Sequence, residues 1–417
     1  MKMKFFLKGK MTGASMASFY TVFFIFLVLS LPAHAAVTQT AVVAMAAADY
    51  SSGAHTTVSV EPVGGPRTLQ ENLVPSGSDL TVVAYGKYFY RMERSGAQNV
   101  TKFDINSPAT AIWQFSTEGS EIDTYAHDLV FASETKAYLL RNRSPILWIV
   151  NPSATTEAEF KIGEIDMSAY ADEDGNPEMH SGVIVDGLLF ITLQRFNPTV
   201  WPVTYSTPWV AVFDTTDDSE VDTGQGDGTR LGIPLPLENP GAIQYLEDND
   251  TVYVQGTGQY TADASGIATI NPSTYASALI LDAADHAFGA ISGMVIISPS
   301  KGYFVGYAGW GDNTLYSFNP SDADPIGTPI SGLENLSIGG TETGAYLDQN
   351  RMLWVCTSTF TAASIVVLNT SDDSIDETIA TSLVPLKVAF SQDDTDEIHA
   401  SDPDNDSGCF IGNLIQQ

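Results

Sequence analysis

The sequence is poor in the residue types that most often carry redox, transition-metal or nucleic-acid chemistry. Its 417 residues include two cysteines, six histidines and 18 lysines and arginines, against 50 aspartates and glutamates, and the formal net charge is −32. A surface this acidic repels phosphate polyanions, so we expect no nucleic-acid partner. The two cysteines form no C-x-x-C pair, which gives no support to thioredoxin-like redox chemistry or to covalent haem attachment.

Several catalytic signatures are also missing. There is no G-x-S-x-G elbow, no phosphate-binding loop, and too few histidines for a multi-histidine copper cluster. Paired carboxylates for glycoside hydrolysis remain open, because with so many acidic residues the sequence cannot single out a pair. Helical periodicity is almost absent from the chain, and short β-type runs take its place.

The first 35 residues are typical of a secretory signal peptide. Four lysines precede an apolar run over 19–31, and "AHA" at 33–35 is a cleavage site of the A-x-A type. No cysteine follows the site, which argues against a lipid anchor, and no later segment is apolar enough to span a bilayer. We therefore expect an exported protein in the periplasm, at the cell surface or outside the cell, with no transmembrane anchor in the mature chain.

One cassette recurs along the mature chain and predicts its fold. Its third strand ends in an acidic residue or asparagine, usually followed by proline or threonine, and it occurs as "TVSVEP" (57–62), "VTKFDI" (100–105), "LWIVNP" (147–152), "VAVFDT" (210–215), "IATINP" (267–272), "LYSFNP" (315–320) and "IVVLNT" (365–370). Seven units of roughly 40–60 residues predict an all-β, seven-bladed propeller of four-stranded blades.

The two ends of the repeat array predict how the ring closes. The first unit has no inner strand before it, whereas "VPLKVAFS" (384–391) resembles an inner strand without a blade. Pairing them places strands from both termini in one blade, and the propeller then covers residues 36–391. Residues 392–417 remain as an acidic tail or flap, or alternatively as part of an eighth blade.

Two acidic segments are candidate calcium sites. In "ADEDGNPEMH" (171–180), Asp172, Asp174 and Glu178 offer hard oxygen ligands and Gly175 permits a tight turn, although the spacing is not that of an EF-hand. The alternative is a hydrated loop that connects two blades.

The second segment, "SDPDNDSG" (401–408), has the D-x-D-x-D rhythm of a calcium loop in Asp402, Asp404 and Asp406. Its glycine lies one position late and no glutamate closes the loop, so a disordered acidic tail is the alternative. Calcium is the only cofactor that the sequence suggests.

A few other residues are candidates for contacts. His127, Asp128 and His180 are expected just before inner strands, at the mouth of the central channel, although hydrogen-bonded structural histidines fit the same positions. The segment 195–209, with three prolines and two tryptophans, is a candidate contact surface for a protein or glycan partner. In an exported chain, Cys356 and Cys409 permit one disulfide.

The chain resembles the secreted bacterial seven-bladed β-propellers of the YVTN type. The resemblance lies in "AHDLVFASETKAYLLRNRSPILWIVNP" (126–152), "IDMSAYADEDGNPEM" (165–179), "PWVAVFDTTDD" (208–218) and the "DYSSG" hairpin (49–53). It implies the propeller fold and an exported protein of an uncharacterised subgroup, and it implies no catalytic set.

Together these features predict a non-catalytic binding or interaction module of the cell envelope. The main alternative is a divalent-metal-dependent hydrolase, lactonase-like or glycan-cleaving, with its site at the channel mouth. A third interpretation is a surface-layer or matrix component that associates with itself in calcium.

We predict that a secreting bacterial host removes residues 1–35, because the small residues at Ala33 and Ala35 fit signal-peptidase specificity. Intact-mass measurement of the exported protein should give a chain that begins at Ala36. Replacing Ala35 by leucine should retain the leader, and a wild-type protein that keeps residues 1–35 in the cytoplasm would contradict the assignment.

Overall fold

The computed structural model describes residues 38–339, 345–359 and 361–393. The predicted signal peptide, the residues Asp402, Asp404 and Asp406, and Cys409 lie outside these ranges, so their assignments stay predictions. Within the described ranges, no helix has both the length and the apolar character needed to cross a membrane.

The described chain is almost entirely β-structure, arranged as seven small antiparallel sheets. In chain order the blades hold β1 (Thr38–Ala46), β2 (Gly53–Ser59) and β3 (Leu69–Ser76); β4 (Leu80–Tyr85), β5 (Tyr88–Glu93), β6 (Asn99–Asp104) and β7 (Ala111–Ser116); β8 (Ala126–Ser133), β9 (Lys136–Arg141), β10 (Ile146–Val150) and β11 (Lys161–Asp166); β12 (Met179–Val185), β13 (Leu188–Leu193), β16 (Trp209–Asp214) and β17 (Ile233–Pro234), with a small hairpin of β14 (Phe196–Asn197) and β15 (Thr204–Tyr205) inserted.

The remaining blades hold β18 (Pro240–Leu246), β19 (Thr251–Gly256), β20 (Gly266–Ile270) and β21 (Ser277–Asp282); β22 (Ala290–Ser298), β23 (Lys301–Gly309), β24 (Asp312–Phe318) and β25 (Thr328–Pro329); and β26 (Ser337–Ile338), β27 (Ala345–Leu347), β28 (Met352–Ser358), β29 (Ala363–Asn369) and β30 (Ser374–Thr381). The last strand, β31 (Val384–Asp393), joins the first blade. Helical structure is limited to α1 (Glu157–Phe160) and the 3₁₀ turns Ser168–Tyr170, Glu247–Asn249 and Ala283–Asp285.

The predicted seven-bladed propeller is confirmed. All seven segments recognised as third strands occupy the third position of their blades, where they form β2, β6, β10, β16, β20, β24 and β29. Their Asn-Pro, Asp-Thr and related endings lie at the turns that lead to the outer strands, as the turn chemistry of these residues predicts.

The predicted closure by both termini is also confirmed. Strand β31 pairs antiparallel with β1, in a register that runs from Thr38 opposite Asp393 to Ala46 opposite Val384, with one irregularity near Ala44. The sheet order β3-β2-β1-β31 makes the late strand the innermost of the first blade. Residues 384–391 therefore form the inner strand predicted for them, and the alternative of an eighth blade depended on residues that lie mostly beyond Asp393.

The hydrophobic core is divided among the gaps between neighbouring blades. The described buried residues form seven clusters, and each cluster combines side chains from two adjacent blades. In the gap that closes the ring, Trp354 of β28 meets Phe390 of β31 edge to face, with ring centroids 5.6 Å apart. Each sheet therefore buries both faces only because it has a neighbour on either side.

Cys356 is fully buried in β28, in the gap between the last blade and the first. Burial raises the pKa of its thiol well above the usual range. A disulfide with Cys409 remains a prediction, because Cys409 is not among the described residues.

Two polar latches connect blades on the side opposite the loop 171–180. In each, a lysine and a tyrosine at the start of a second strand contact an aspartate in a turn of the next blade. Lys136 Nζ lies 2.7 Å from Asp218 Oδ1, to which the Tyr138 hydroxyl donates over 2.6 Å. Lys301 and Tyr303 make the same contacts with Asp373. The turns are similar in sequence, "FDTTDDS" (213–219) and "LNTSDDS" (368–374), and share the final D-D-S.

We predict that Tyr303→Phe lowers the free energy of unfolding by roughly 1–3 kcal/mol. The buried hydroxyl donates to the Asp373 carboxylate, and after the substitution this carboxylate retains only its contact with Lys301. Urea unfolding measures the change. Tyr316→Phe is the matched control, since this half-buried ring stacks on Phe304 and its hydroxyl has no hydrogen-bond partner in the described part of the chain. Equal effects of the two substitutions would contradict the role of the latch.

Candidate functional site

The candidate site lies on one face of the propeller, which follows from the alternation of strand direction. Connections from the outer strand of one blade to the inner strand of the next lie on the same face as the hairpins between second and third strands. We call it the connection face; the parts used below are the connections 167–178 and 235–239 and the hairpins 47–52, 194–208, 257–265 and 310–311.

The loop "ADEDGNPEMH" connects β11 to β12, the position predicted for it. Its turn is held by its own polar groups: the Asp174 amide donates to Asp172 Oδ1 over 3.0 Å, and the Asn176 amide donates to Asp174 Oδ1 over 2.9 Å. The Asp172 amide closes the loop by donating to the Asn176 carbonyl over 3.1 Å. Gly175, at φ +93°, takes the left-handed conformation that this turn requires.

The turn brings three carboxylates together. Each of Asp172, Asp174 and Glu178 offers an oxygen, and these oxygens lie within 4.8 Å of one another. Glu178 is buried and the two aspartates are half-buried. None of the three is in an ion pair with a described residue, and no other such group of histidine, cysteine or acidic side chains occurs in the part of the chain that the structure describes.

Burial and mutual repulsion keep this cluster partly protonated. Burial raises the pKa of Glu178 from 4.5 to about 9, and the nearby Asp174 and Asp172 contribute to the rise. Burial also raises the pKa of Asp174, with a further contribution from Asp172. At neutral pH, Glu178 therefore carries a proton. A cation bound between the three carboxylates would neutralise the same negative charge in place of that proton.

Arg195 lies beside the cluster, and its charge lowers the pKa of Glu178, but the opposite effect of burial and of the two aspartates is larger. Its Nε donates to the Tyr170 carbonyl over 2.7 Å and its Nη1 donates to the Thr207 carbonyl over 2.6 Å. The buried guanidinium thus joins the start of the acidic loop to the end of the 194–208 hairpin. Sequence reasoning missed Arg195, because no motif marks an arginine that binds backbone carbonyls distant in sequence.

The cluster also lies at the base of that hairpin, which β14 and β15 form. Glu178 Oε2 accepts a hydrogen bond of 3.2 Å from the amide of Phe196, the first residue of β14. Farther along the same hairpin, Trp201 is 92% exposed. The segment 195–209, predicted as a contact surface, therefore contains a strongly exposed aromatic residue attached to the acidic site.

The predicted histidines lie at the same end of the inner strands. His127 and His180 are the second residues of β8 and β12, so they fall within these strands and not just before them. Their ring centroids are 4.1 Å apart. His127 Nε2 is 3.3 Å from Arg94 Nη1, and His180 Nδ1 is 2.7 Å from Ser181 Oγ.

Asp128 connects the two inner strands. Its Oδ1 accepts from the Leu129 amide over 2.9 Å and its Oδ2 accepts from the Gly182 amide of β12 over 3.2 Å. This bridge between neighbouring blades gives Asp128 a structural role. Neither histidine belongs to the carboxylate cluster, and a ligand-binding role for His127, Asp128 and His180 stays a prediction.

Comparison with known proteins supports the fold. No family model and no curated protein matches the sequence. Among solved structures, the chain is similar to a protein from Lactobacillus plantarum (TM-score 0.57, 12% identity, 85% of this chain and 99% of that one). It is also similar to a candidate 6-phosphogluconolactonase from Bacteroides uniformis (TM-score 0.56, 11% identity, 85% and 99%) and to virginiamycin B lyase from Staphylococcus aureus (TM-score 0.50, 13% identity, 72% and 84%). At these identities the likeness concerns the fold alone.

We predict that Glu178 makes the metal-free protein less stable as the pH rises. The folded state holds a proton on Glu178 between about pH 4.5 and 9, where the unfolded chain has lost it, so stability is full below this window and falls through it. At pH 7 the loss amounts at most to roughly 3 kcal/mol. In EDTA, the melting temperature of Glu178→Gln should therefore fall less than that of wild type between pH 5 and 9.

Glutamine keeps an acceptor for the Phe196 amide, so the comparison isolates the charge. Glu173→Gln, an exposed residue of the same loop, is the matched control and should follow wild type. Parallel curves for wild type and Glu178→Gln would show that Glu178 titrates normally.

Proposed function

We propose that this protein is an exported, non-catalytic binding module of the cell envelope whose connection face holds calcium at Asp172, Asp174 and Glu178. The observation that carries the proposal is the convergence of three carboxylates, one of them buried, none of which forms an ion pair with a described residue. Export is supported by the signal-peptide pattern and by the resemblance to secreted YVTN-type propellers. The partner is a protein or a glycan at the envelope.

Calcium fits the chemistry of the cluster. It prefers hard oxygen ligands, tolerates irregular geometry and takes six to eight of them. Three carboxylates leave positions for backbone oxygens, water or a bound partner, and the two half-buried aspartates keep one side of the site open to solvent. A second calcium site at Asp402, Asp404 and Asp406 is part of the proposal on sequence grounds alone.

A divalent-metal-dependent hydrolase, lactonase-like or glycan-cleaving, is the less favoured alternative. Such an enzyme would gather catalytic groups from several blades around the channel mouth. Among residues 38–339, 345–359 and 361–393, the three converging carboxylates all come from one loop, and the adjacent rings of His127 and His180 are not part of their group. One loop offers a cation site, and a binding role requires no more.

We predict that calcium binds this protein with release of a proton, because the ion displaces the proton of Glu178. Titration calorimetry in buffers of different ionisation enthalpy measures both events, and the affinity should rise from pH 6 to pH 8. Asp174→Asn removes a charged ligand and should weaken binding by about tenfold or more.

Two variants separate the possible origins of the signal. Glu173→Gln should bind like wild type, since this side chain is exposed and is not part of the cluster. A variant with asparagine at 402, 404 and 406 reports on the tail. Absence of calcium binding to wild type would contradict the proposal. If only the tail variant lost all calcium binding, the site would lie in the tail and not at Glu178.

A further inference from the structure

A row of aromatic side chains crosses three neighbouring blades on the connection face. Phe196 and Tyr205 belong to the β14–β15 hairpin, and their ring centroids are 6.1 Å apart. Tyr260 lies in the hairpin of the next blade and meets Tyr307 of the blade after it, again at 6.1 Å. We call Phe196, Tyr205, Tyr260 and Tyr307 the aromatic row.

Tyr205 and Tyr260 lie on hairpins of neighbouring blades, the fourth and the fifth, on the connection face. Burial raises the pKa of Tyr205, and the hydroxyl of Tyr260 and the carboxylate of Glu238 raise it further. The row therefore consists of two ring pairs, one on the fourth blade and one that bridges the fifth and the sixth.

Exposed rings accompany the row. Tyr260 is 57% exposed, and the tryptophans Trp201 and Trp310 of the flanking hairpins are 92% and 75% exposed. Placing such large apolar surfaces in water is unfavourable, so their concentration on adjacent hairpins marks an interaction surface.

Polar groups beside the row favour a polyhydroxylated ligand. Gln259, next to Tyr260, donates to Glu238 Oε2 over 3.1 Å, and the two side chains are exposed and half-exposed. Together they present acceptors and amide donors to the edge of a sugar, whose C–H face packs against an aromatic ring. The net charge of −32 repels anionic polymers, so among polysaccharides a neutral chain is favoured over an acidic one.

The row begins at the cation site. The Phe196 amide donates a hydrogen bond to Glu178 Oε2, so Phe196 belongs to the aromatic row and also contacts the carboxylate cluster. Calcium accepts neutral oxygen ligands as well as carboxylates, and neighbouring sugar hydroxyls supply them.

We propose that the aromatic row binds a neutral polysaccharide chain, with successive sugar rings stacked on Tyr205, Tyr260 and Tyr307. This inference rests on the proposed binding function and names its partner. Its direct competitor is an extended proline-rich peptide, which also docks on aromatic side chains. The carboxylate and amide at the edge of the row, and the adjoining cation site, favour the sugar.

Affinity electrophoresis of the full exported chain in calcium tests the proposal. The gels contain a soluble mixed-linkage β-glucan, a starch, a mannan or a xylan, and at least one of these should retard the wild-type protein. Tyr260→Ala should weaken the affinity derived from the retardation by up to about tenfold, the loss expected when one stacked ring is removed.

Tyr50→Ala is the matched control. Tyr50 occupies the corresponding hairpin of the first blade, is 54% exposed and has φ 56°, against 57% and 58° for Tyr260, but it lies outside the row. It should leave the retardation unchanged. Calcium calorimetry on Tyr260→Ala should give the wild-type affinity, which shows that the variant is folded.

Three results would overturn the inference: no retardation by any of the four polymers, equal retardation of Tyr260→Ala and Tyr50→Ala, or binding of a proline-rich peptide in place of the sugars through the same tyrosines. If wild type binds calcium but none of the polymers, the sugar inference fails and the calcium proposal stands. If wild type binds no calcium, the calcium proposal fails, and electrophoresis in EDTA then decides the sugar inference alone.

Discussion

Every blade of this protein depends on a neighbour, because a four-stranded sheet with two apolar faces can bury both only between two other sheets. The pairing of β31 with β1 completes that condition for the first and last blades. Without it, Trp354 and Phe390 would lose their shared core, and the edge of β1 would be open to other strands. The polar latches at Asp218 and Asp373 reinforce the same blade-to-blade contacts on the opposite face.

Closure also determines where binding groups can gather. Since the inner and middle strands are occupied by packing, residues free to vary lie in the connections and hairpins. On the connection face, the loop 171–178 and the hairpin 194–208 come from the same blade boundary, and Arg195 holds their backbones together. The carboxylate cluster and the aromatic row are therefore parts of one surface, with Phe196 as the residue that they share.

The repeat explains why the fold was accessible from the sequence. Third strands recur roughly every 40–60 residues, and the first unit lacks the inner strand that residues 384–391 resemble. The topology and the closure of the ring therefore follow from local sequence patterns. The cluster of Asp172, Asp174 and Glu178 was accessible for the same reason, because its members lie within seven consecutive residues. Arg195 and the pairing of Tyr260 with Tyr307 were not, since each depends on chain segments that only the folded blades bring together. The positions of His127 and His180 were predicted to within two residues, but the contact between their rings was not.

A buried acid with a pKa near 9 is an unfavourable feature to retain in a stable fold, which suggests a use for it. Glu178 accepts the Phe196 amide and is repelled by Asp172 and Asp174, so its charge state is linked to both the loop and the hairpin. On the proposed assignment, a cation removes the repulsion and fixes the hairpin from which the aromatic row starts. Linkage between two sites is reciprocal, and a ligand on the row must then strengthen cation binding by the same factor. The protonated carboxyl of the metal-free protein is the state from which that coupling begins.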